Sequence, residues 1–375
     1  MNTTPLPLSN VTMMSVTSNE SITYERPFSE DGIILSSVFI FTFLVLGVCG
    51  NTLTIAVIGY YKELNENVFM RFILSLCVSD LISALISWLF LYRRTWGFDE
   101  WAPLPDFLCK FYWAADIMTS YVTALHVLSF AILRFVSIQF PFMYNRIKLF
   151  HGNVWMAAIW VVCFCSGFIP CMFIFGSRTR DAAYRTQGSG LPDARWPSCT
   201  ALVERLHSYV LYQKVGYSIF LYGPMVGVVV MCIATIIMVA MRTRKRATSK
   251  KLEKLQRKER QSTIQLVLII ISFLLGYVPF TAYEFWSVQN YPQTQLFFRI
   301  DYWFGMIEYI FLRFSECLNP LFYNLGSSKV RGYTKKFLKE KLCHSCFAII
   351  PRPKPKERPR STGSDAISTI ANGFI

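Results

Sequence analysis

Seven apolar stretches, each long enough to cross a lipid bilayer, alternate with polar connectors along this chain. A hydrocarbon core is roughly 30 Å thick, so a spanning helix takes about 20 mostly apolar residues. The stretches cover 34–61, 68–92, 107–140, 153–175, 209–241, 261–288 and 300–325. None shows the alternation of a barrel strand. Lipid offers the backbone no hydrogen-bond partners, so each stretch must satisfy its own as a helix. The expected fold is all-α: a seven-transmembrane-helix bundle over residues 34–325. With 53% hydrophobic and 16% charged residues, the composition is that of an integral membrane protein rather than a soluble domain.

Net charge is +15, and its placement sets the orientation. Residues 241–260 hold ten Lys/Arg against two Glu, and residues 326–375 hold eleven against three acids. Residues 141–152 carry Arg146 and Lys148 and no acid. Seven crossings put all three segments on one side, which the positive-inside rule makes cytoplasmic. Residues 1–33 are then an extracellular tail, with glycan sequons at Asn2, Asn10 and Asn19. That tail has no apolar core or cleavage site, so no removable signal peptide is expected. A strongly basic chain can bind nucleic acid, but these charges flank helix ends, where topology and anionic lipid account for them. No nucleic-acid partner is expected.

Beyond the bundle, residues 326–342 read as a short amphipathic helix on the membrane surface. Val330, Tyr333, Phe337, Leu338 and Leu342 fall on one face, with Lys335, Lys336 and Lys339 on the other. Residues 343–375 form a cytoplasmic tail, Pro- and Arg-rich over 351–360 and expected to be disordered. It offers Ser361, Thr362, Ser364, Ser368 and Thr369 for phosphorylation. Cys343 and Cys346 lie where juxtamembrane cysteines are palmitoylated. Cys109 and Cys199 both face the oxidising side, where a disulfide can form. Residues 176–207 make a second outer loop long enough to suggest function.

Each apolar stretch holds a characteristic polar or bending residue. In order these are Gly50-Asn51, Ser75-Leu76-Cys77-Val78-Ser79-Asp80, Cys109 with Leu133-Arg134-Phe135, Trp160 with Pro170, Pro224, Phe273 with Pro279, and Asn319-Pro320-Leu321-Phe322-Tyr323. Taken together and in this order, the set resembles the rhodopsin-like G protein-coupled receptors over residues 34–342. Within that superfamily, residues 75–80 and Trp96-Gly97 resemble an orphan cluster of invertebrate receptors near the medium-chain fatty-acid receptor. The resemblance implies a cell-surface receptor at the plasma membrane, with an unidentified extracellular ligand (peptide, amine or lipid) outside and a heterotrimeric G protein and arrestin inside.

It also implies roles for particular residues. Asp80, with Asn51, Thr123, Ser315, Glu316 and Asn319, matches the family's sodium or proton site. Glu316 departs from the usual small polar residue, and two neighbouring carboxylates favour a bound cation or a shared proton. Arg134 is the inner-end arginine that meets the G protein, with Phe142 on the adjoining loop. Leu133 replaces the acid that usually precedes it, which leaves Glu259 on helix six as its expected resting partner. The activation switch maps to Phe273, Tyr277, Pro279, Asn319, Pro320 and Tyr323. Tyr277 stands where the family has Trp. Cys232 stands where a helix-five Tyr would link to Tyr323.

The pocket residues carry mixed charge. Asp116, seven after Cys109, matches the aspartate that binds ammonium in amine receptors, but Gly216, Tyr217 and Phe220 replace the serines of helix five. Arg313, seven before Pro320, occupies the Schiff-base position of opsins. A guanidinium stays charged and forms no stable imine, so no retinal is expected. Arg313 is expected to pair with Asp116. Phe280, Glu284, Glu308, Tyr309 and Lys214 complete the candidate pocket, with Arg93 and Arg94 at its rim. Glu284 and Glu308 would suit a basic ligand, and Lys214 and the two arginines an anion.

Other functions fit less well. A transporter would show inverted repeats or paired broken helices, which are not seen. No HExxH, GxSxG or Cys/His metal spacing points to an enzyme, and His126, His151, His207 and His344 are scattered. A receptor-like protein signalling without a diffusible ligand stays open, given Leu133, Tyr277 and Cys232.

Overall fold

The computed structural model of the chain describes residues 28–96, 105–177, 199–245, 250–289 and 295–342, with side chains undescribed over 242–262 and at a few helix ends. Asn2, Asn10, Asn19, Cys343, Cys346 and the tail serines and threonines lie outside the described residues. So does the side chain of Glu259.

Seven long helices follow one another: α1 (Glu30–Tyr60), α2 (Val68–Thr95), α3 (Asp106–Gln139), α4 (Leu149–Ile174), α5 (Leu206–Met241), α6 (Lys250–Gln289) and α7 (Gln295–Gly326). A shorter α8 (Ser328–Phe337) lies after them. Among the described residues α1 to α6 contain segments long and apolar enough to span a bilayer. Helix α7 is long enough but not apolar enough, which corrects the expectation of seven apolar spans. Arg299, Asp301, Glu308, Arg313 and Glu316 lower its hydropathy. Glu308, Arg313 and Glu316 are nevertheless buried inside the bundle, so α7 is sheltered by neighbouring helices. Such charges face a bundle interior because lipid cannot solvate them.

Side chains capable of accepting the free N–H groups of a first turn start several helices. Ser29 caps α1, Asn67 caps α2 and Ser327 caps α8. Helix α3 is the axis of the bundle, with most of its residues buried. Helices α6 and α7 share the most extensive interface. Gly276 makes their close approach possible, since a Cβ there would sit 2.4 Å from Ser315 Oγ.

Two prolines rewind their helices. Pro170 and Pro224 each follow a stretch of wider π-turns, Phe164–Phe168 and Gln213–Tyr222. Proline lacks the N–H that would bond the carbonyl four residues back, and its ring clashes with that carbonyl. The carbonyl freed ahead of Pro170 is that of Ser166. It accepts instead from the Tyr212 hydroxyl of α5 at 2.9 Å. The bend in α4 is thus stitched to its neighbour.

A second polar junction joins α2, α3 and α4. Trp160 Nε1 donates to Ser75 Oγ at 2.8 Å, and Ser75 Oγ lies 2.9 Å from His126 Nε2. His126 Nδ1 is 2.8 Å from the Val122 carbonyl, which can only accept. The proton therefore sits on Nδ1, and Nε2 accepts from Ser75. His126, one of the four scattered histidines, serves to join these helices.

Helix α8 folds back beneath α1. The Tyr333 ring packs at a tilt against Tyr61 at 4.6 Å and its hydroxyl donates to Glu63, while Phe337 meets Tyr60 edge-on at 5.7 Å. The bond to Glu63 raises the Tyr333 pKa, since it favours the protonated phenol. Ser327 caps the segment, and its helix runs on from Phe337 through a wider π-helical stretch, Leu338–Leu342.

At the opposite end, β1 (Phe175–Ser177) pairs antiparallel with β2 (Cys199–Ala201). The Cys109–Cys199 disulfide is formed and fastens β2 to the first turn of α3.

Candidate functional site

A cavity of about 380 Å³ opens beneath β2 at the disulfide end, between α2, α3, α5, α6 and α7. Apolar walls come from Phe90, Trp113, Phe175 and Phe280, and polar groups converge between them. This is the composition of a small-ligand site. Of the expected pocket residues, Asp116, Phe280, Glu284, Glu308 and Tyr309 line it.

Arg93 and Arg94 are buried in its wall rather than exposed at a rim. Arg93 Nε donates to the Cys199 carbonyl at 2.8 Å, and its guanidinium lies 4.3 Å from the Trp113 ring centre. Arg94 reaches across to α7 and donates to the Asp301 carbonyl at 2.9 Å and to Asp301 Oδ2 at 3.3 Å. It also donates to the Tyr283 hydroxyl, which in turn donates to Asp301 Oδ1 at 2.9 Å. Gly305 makes room for it: a Cβ there would stand 2.4 Å from the Arg94 Nη2. Gly305→Ala is expected to displace Arg94 and lower stability by about 1–3 kcal/mol through the lost buried hydrogen bonds. A fall in the melting temperature of the purified protein checks this.

The cavity floor is an ionic bridge. Arg313 donates to Asp116 Oδ1 on α3 and, at 2.8 Å, to Glu316 Oε2 on its own helix. Its guanidinium also lies 4.5 Å from the Tyr309 ring centre, and Tyr309 stacks on Phe90 at 3.7 Å. Ser83 of α2 donates to Glu316 at 2.9 and 3.0 Å. The expected Asp116–Arg313 pair is therefore present, and Glu316 is its third member. Glu316 also stays within electrostatic reach of Asp80, as expected of a second carboxylate. The guanidinium already supplies its counter-charge.

One layer deeper, Asn319 Nδ2 donates to Asp80 Oδ2 at 2.9 Å. Asp80 Oδ1 and Asn51 Oδ1 are buried without a hydrogen-bond partner. Ser79 lies 3.4 Å from Thr123 and donates to the Thr119 carbonyl at 3.1 Å. The Ser315 hydroxyl bonds its own helix, to the Leu312 carbonyl. The orphan Asp80 oxygen leaves an acceptor free for a bound cation or proton, with Asn319 and Glu316 near it, while the Ser315 hydroxyl is turned to its own helix.

The switch residues sit between the cavity and this layer. Tyr277 is buried, its hydroxyl 3.4 Å from the Ser120 carbonyl and its ring 4.6 Å from Phe273. Pro279 lies inside α6 and Pro320 inside α7. The Tyr323 hydroxyl is buried with no partner, consistent with Cys232 replacing the tyrosine that would face it. At the Arg134 end, a recess of about 270 Å³ is lined by Leu133, Arg134, Tyr144 and Gln265. Arg134 Nη2 donates to Thr263 Oγ1 of α6 at 3.1 Å. Phe142, in the short helix Pro141–Arg146 that follows α3, is 85% exposed.

Glu284 and Glu308 are buried in the cavity wall, as expected of pocket residues. One further expectation is corrected. Lys214 is exposed and lines a separate recess of about 260 Å³ with Tyr222 and Phe285. The π-turns of α5 rotate it away from the main cavity, and they bring Gln213 into that cavity instead. Gln213 was not legible as a pocket residue, because an ordinary helical repeat points it elsewhere.

This arrangement places a closed charged cavity at one end and a helix-tethered arginine at the other. The family described as 7 transmembrane receptor (rhodopsin family) matches residues 50–323. The chain belongs to this family. Growth hormone secretagogue receptor type 1 of Sus scrofa is 24% identical over 302 residues, 78% of each chain. Neurotensin receptor type 1 of Homo sapiens is 23% identical over 365 residues, covering 90% of this receptor and 82% of that one. Chemokine XC receptor 1 of Homo sapiens is 24% identical over 330 residues, 86% and 85%. This rhodopsin-family receptor is a multi-pass membrane protein of signal transduction, G protein-coupled and not an enzyme.

Proposed function

We propose that this receptor lies with its N-terminus and disulfide end outside the cell and takes an extracellular ligand into the charged cavity. The Arg134 end, α8 and the tail then face the cytosol, where a heterotrimeric G protein docks and arrestin follows. The bias of Lys and Arg towards that end supports this orientation. The relatives are named as receptors for a growth hormone secretagogue, neurotensin and a chemokine, which accords with a diffusible ligand.

The observation that carries the reading is the Asp116–Arg313–Glu316 bridge at the cavity floor. A ligand charge that competes for Asp116 changes how α3 is held to α7. Below it lie Tyr277, Pro279 and Asn319, and α6 runs on to Thr263 and Arg134. A sodium ion, if held, would rest on Asp80 and Asn51 and supply positive charge beneath the bridge. Arg134 is restrained at rest by α6, through Thr263 and Glu259. Glu259→Ala is expected to raise basal signalling several-fold, and unchanged basal activity at matched surface expression would contradict the restraint.

The deciding experiment is G-protein dissociation in cells against lipid, amine and peptide libraries, with Asp116→Asn and Phe280→Leu beside wild type at matched surface expression. A ligand active on wild type and weakened by both variants supports the site. Equal potency on all three places the ligand elsewhere. Ligand-independent dissociation unmoved by any library member would favour constitutive signalling.

A further inference from the structure

The cavity's charges do not balance. Three guanidiniums, of Arg93, Arg94 and Arg313, stand against five carboxylates, of Asp116, Glu284, Asp301, Glu308 and Glu316. Arg94 is held by Asp301, and Arg313 by Asp116 and Glu316. Arg93 is spent in part on the Cys199 carbonyl and the Trp113 ring. Glu284 accepts from Gln213, a neutral amide, through one oxygen. Glu308 is 4% exposed, and among the described residues its carboxylate forms no hydrogen bond or ion pair; Oε2 is a buried orphan. Lys214 lines the other side of Glu284 and makes no ion pair with it among the described residues.

A buried carboxylate without a partner is costly. A fold that retains one inside a ligand-sized cavity gains when a cation arrives. We infer that the ligand of this receptor presents a cationic group, an ammonium or guanidinium, that seats between Glu308 on α7 and Glu284 on α6. The seat lies above the Asp116–Arg313 floor. Phe280 lies in the same cavity wall, and an aromatic face favours a cation over an anion; the faces of Phe90 and Tyr309 already meet Arg94 and Arg313. About 380 Å³ accommodates one basic side chain or a small amine, so a larger ligand would insert its basic end. This inference rests on the cavity being the ligand site, as proposed above.

The test uses the purified full-length receptor in detergent and agmatine as probe, a four-carbon chain bearing an ammonium and a guanidinium. Neutral 1,4-butanediol and anionic glutarate are the controls. Agmatine is expected to raise the wild-type melting temperature saturably, and the controls to leave it unmoved. Glu308→Gln is expected to raise the melting temperature without probe, because the orphan charge is gone, and to weaken agmatine at least about tenfold. A merely structural Glu308 would instead lose stability on that change. Glu284→Gln is expected to weaken agmatine while Lys214→Gln does not. Stabilisation by glutarate alone, or an agmatine shift unchanged in the Glu308→Gln/Glu284→Gln double variant, overturns the inference. Basal G-protein nucleotide exchange is read in the same preparations. Exchange that persists while agmatine fails sinks the cation seat and leaves the receptor reading standing. Agmatine binding without any exchange upholds the seat and contradicts the coupling.

Discussion

Arg313→Gln is expected to remove most of the folded receptor from the cell surface. The guanidinium is 2% exposed and holds two buried carboxylates on different sides, Asp116 and Glu316. Its loss leaves both uncompensated away from water. Breaking one buried ion pair costs about 3–5 kcal/mol, because the surviving charge keeps its desolvation penalty. Here two charges survive, and total stability of a typical fold is only about 5–15 kcal/mol. Asp116→Asn should be far milder, since Arg313 keeps Glu316 and Asn can still accept a hydrogen bond. Surface labelling of the two variants checks this asymmetry. Equal, near-normal expression of both would show that the bridge contributes little to folding. Arg313→Lys should fall between them: an ammonium keeps the charge but loses the planar fork that reaches both carboxylates.

Cys199→Ser is the second large effect expected. The disulfide closes a separation of 90 residues and is the covalent tie between β2 and α3. Losing such a link removes about 2–5 kcal/mol. The consequence is local as well as global. The Cys199 carbonyl holds Arg93, and Thr200 and Ala201 line the cavity. Freed from α3, the strand would release Arg93 from its place over Trp113 and open the cavity's cover. Ligand potency should therefore fall by more than the loss of surface receptor explains. Cys109→Ser should match it in size, and the double variant should be no worse than either alone. Additive losses would mean that the cysteines act separately.

The spans were legible because burial in lipid demands unbroken apolarity, and α2 begins at Val68 as read. Helix α7 shows where that signal weakens. Its charges lower the apolar signal, and burial of Glu308, Arg313 and Glu316 inside the bundle shelters them. The Asp116–Arg313 contact followed from spacing within a recognised fold. The Arg313–Glu316 bond did not, because side-chain direction decides whether residues three apart on a helix meet. Lys214 was misassigned and Gln213 missed for a backbone reason: Pro224 widens the turns before it and rotates their side chains. The Tyr212 bond to the Ser166 carbonyl arises the same way, from a proline on another helix. Orphaned acceptors such as Glu308 Oε2 are visible only once every neighbour is in place.

The most direct test of the ionic floor compares Arg313→Gln with the charge-free triple variant Asp116→Asn/Arg313→Gln/Glu316→Gln by thermal unfolding of detergent-purified protein. If the three residues act as one buried bridge, removing the two stranded carboxylates should return much of the stability lost in the single variant. A triple variant no more stable than Arg313→Gln alone would contradict it.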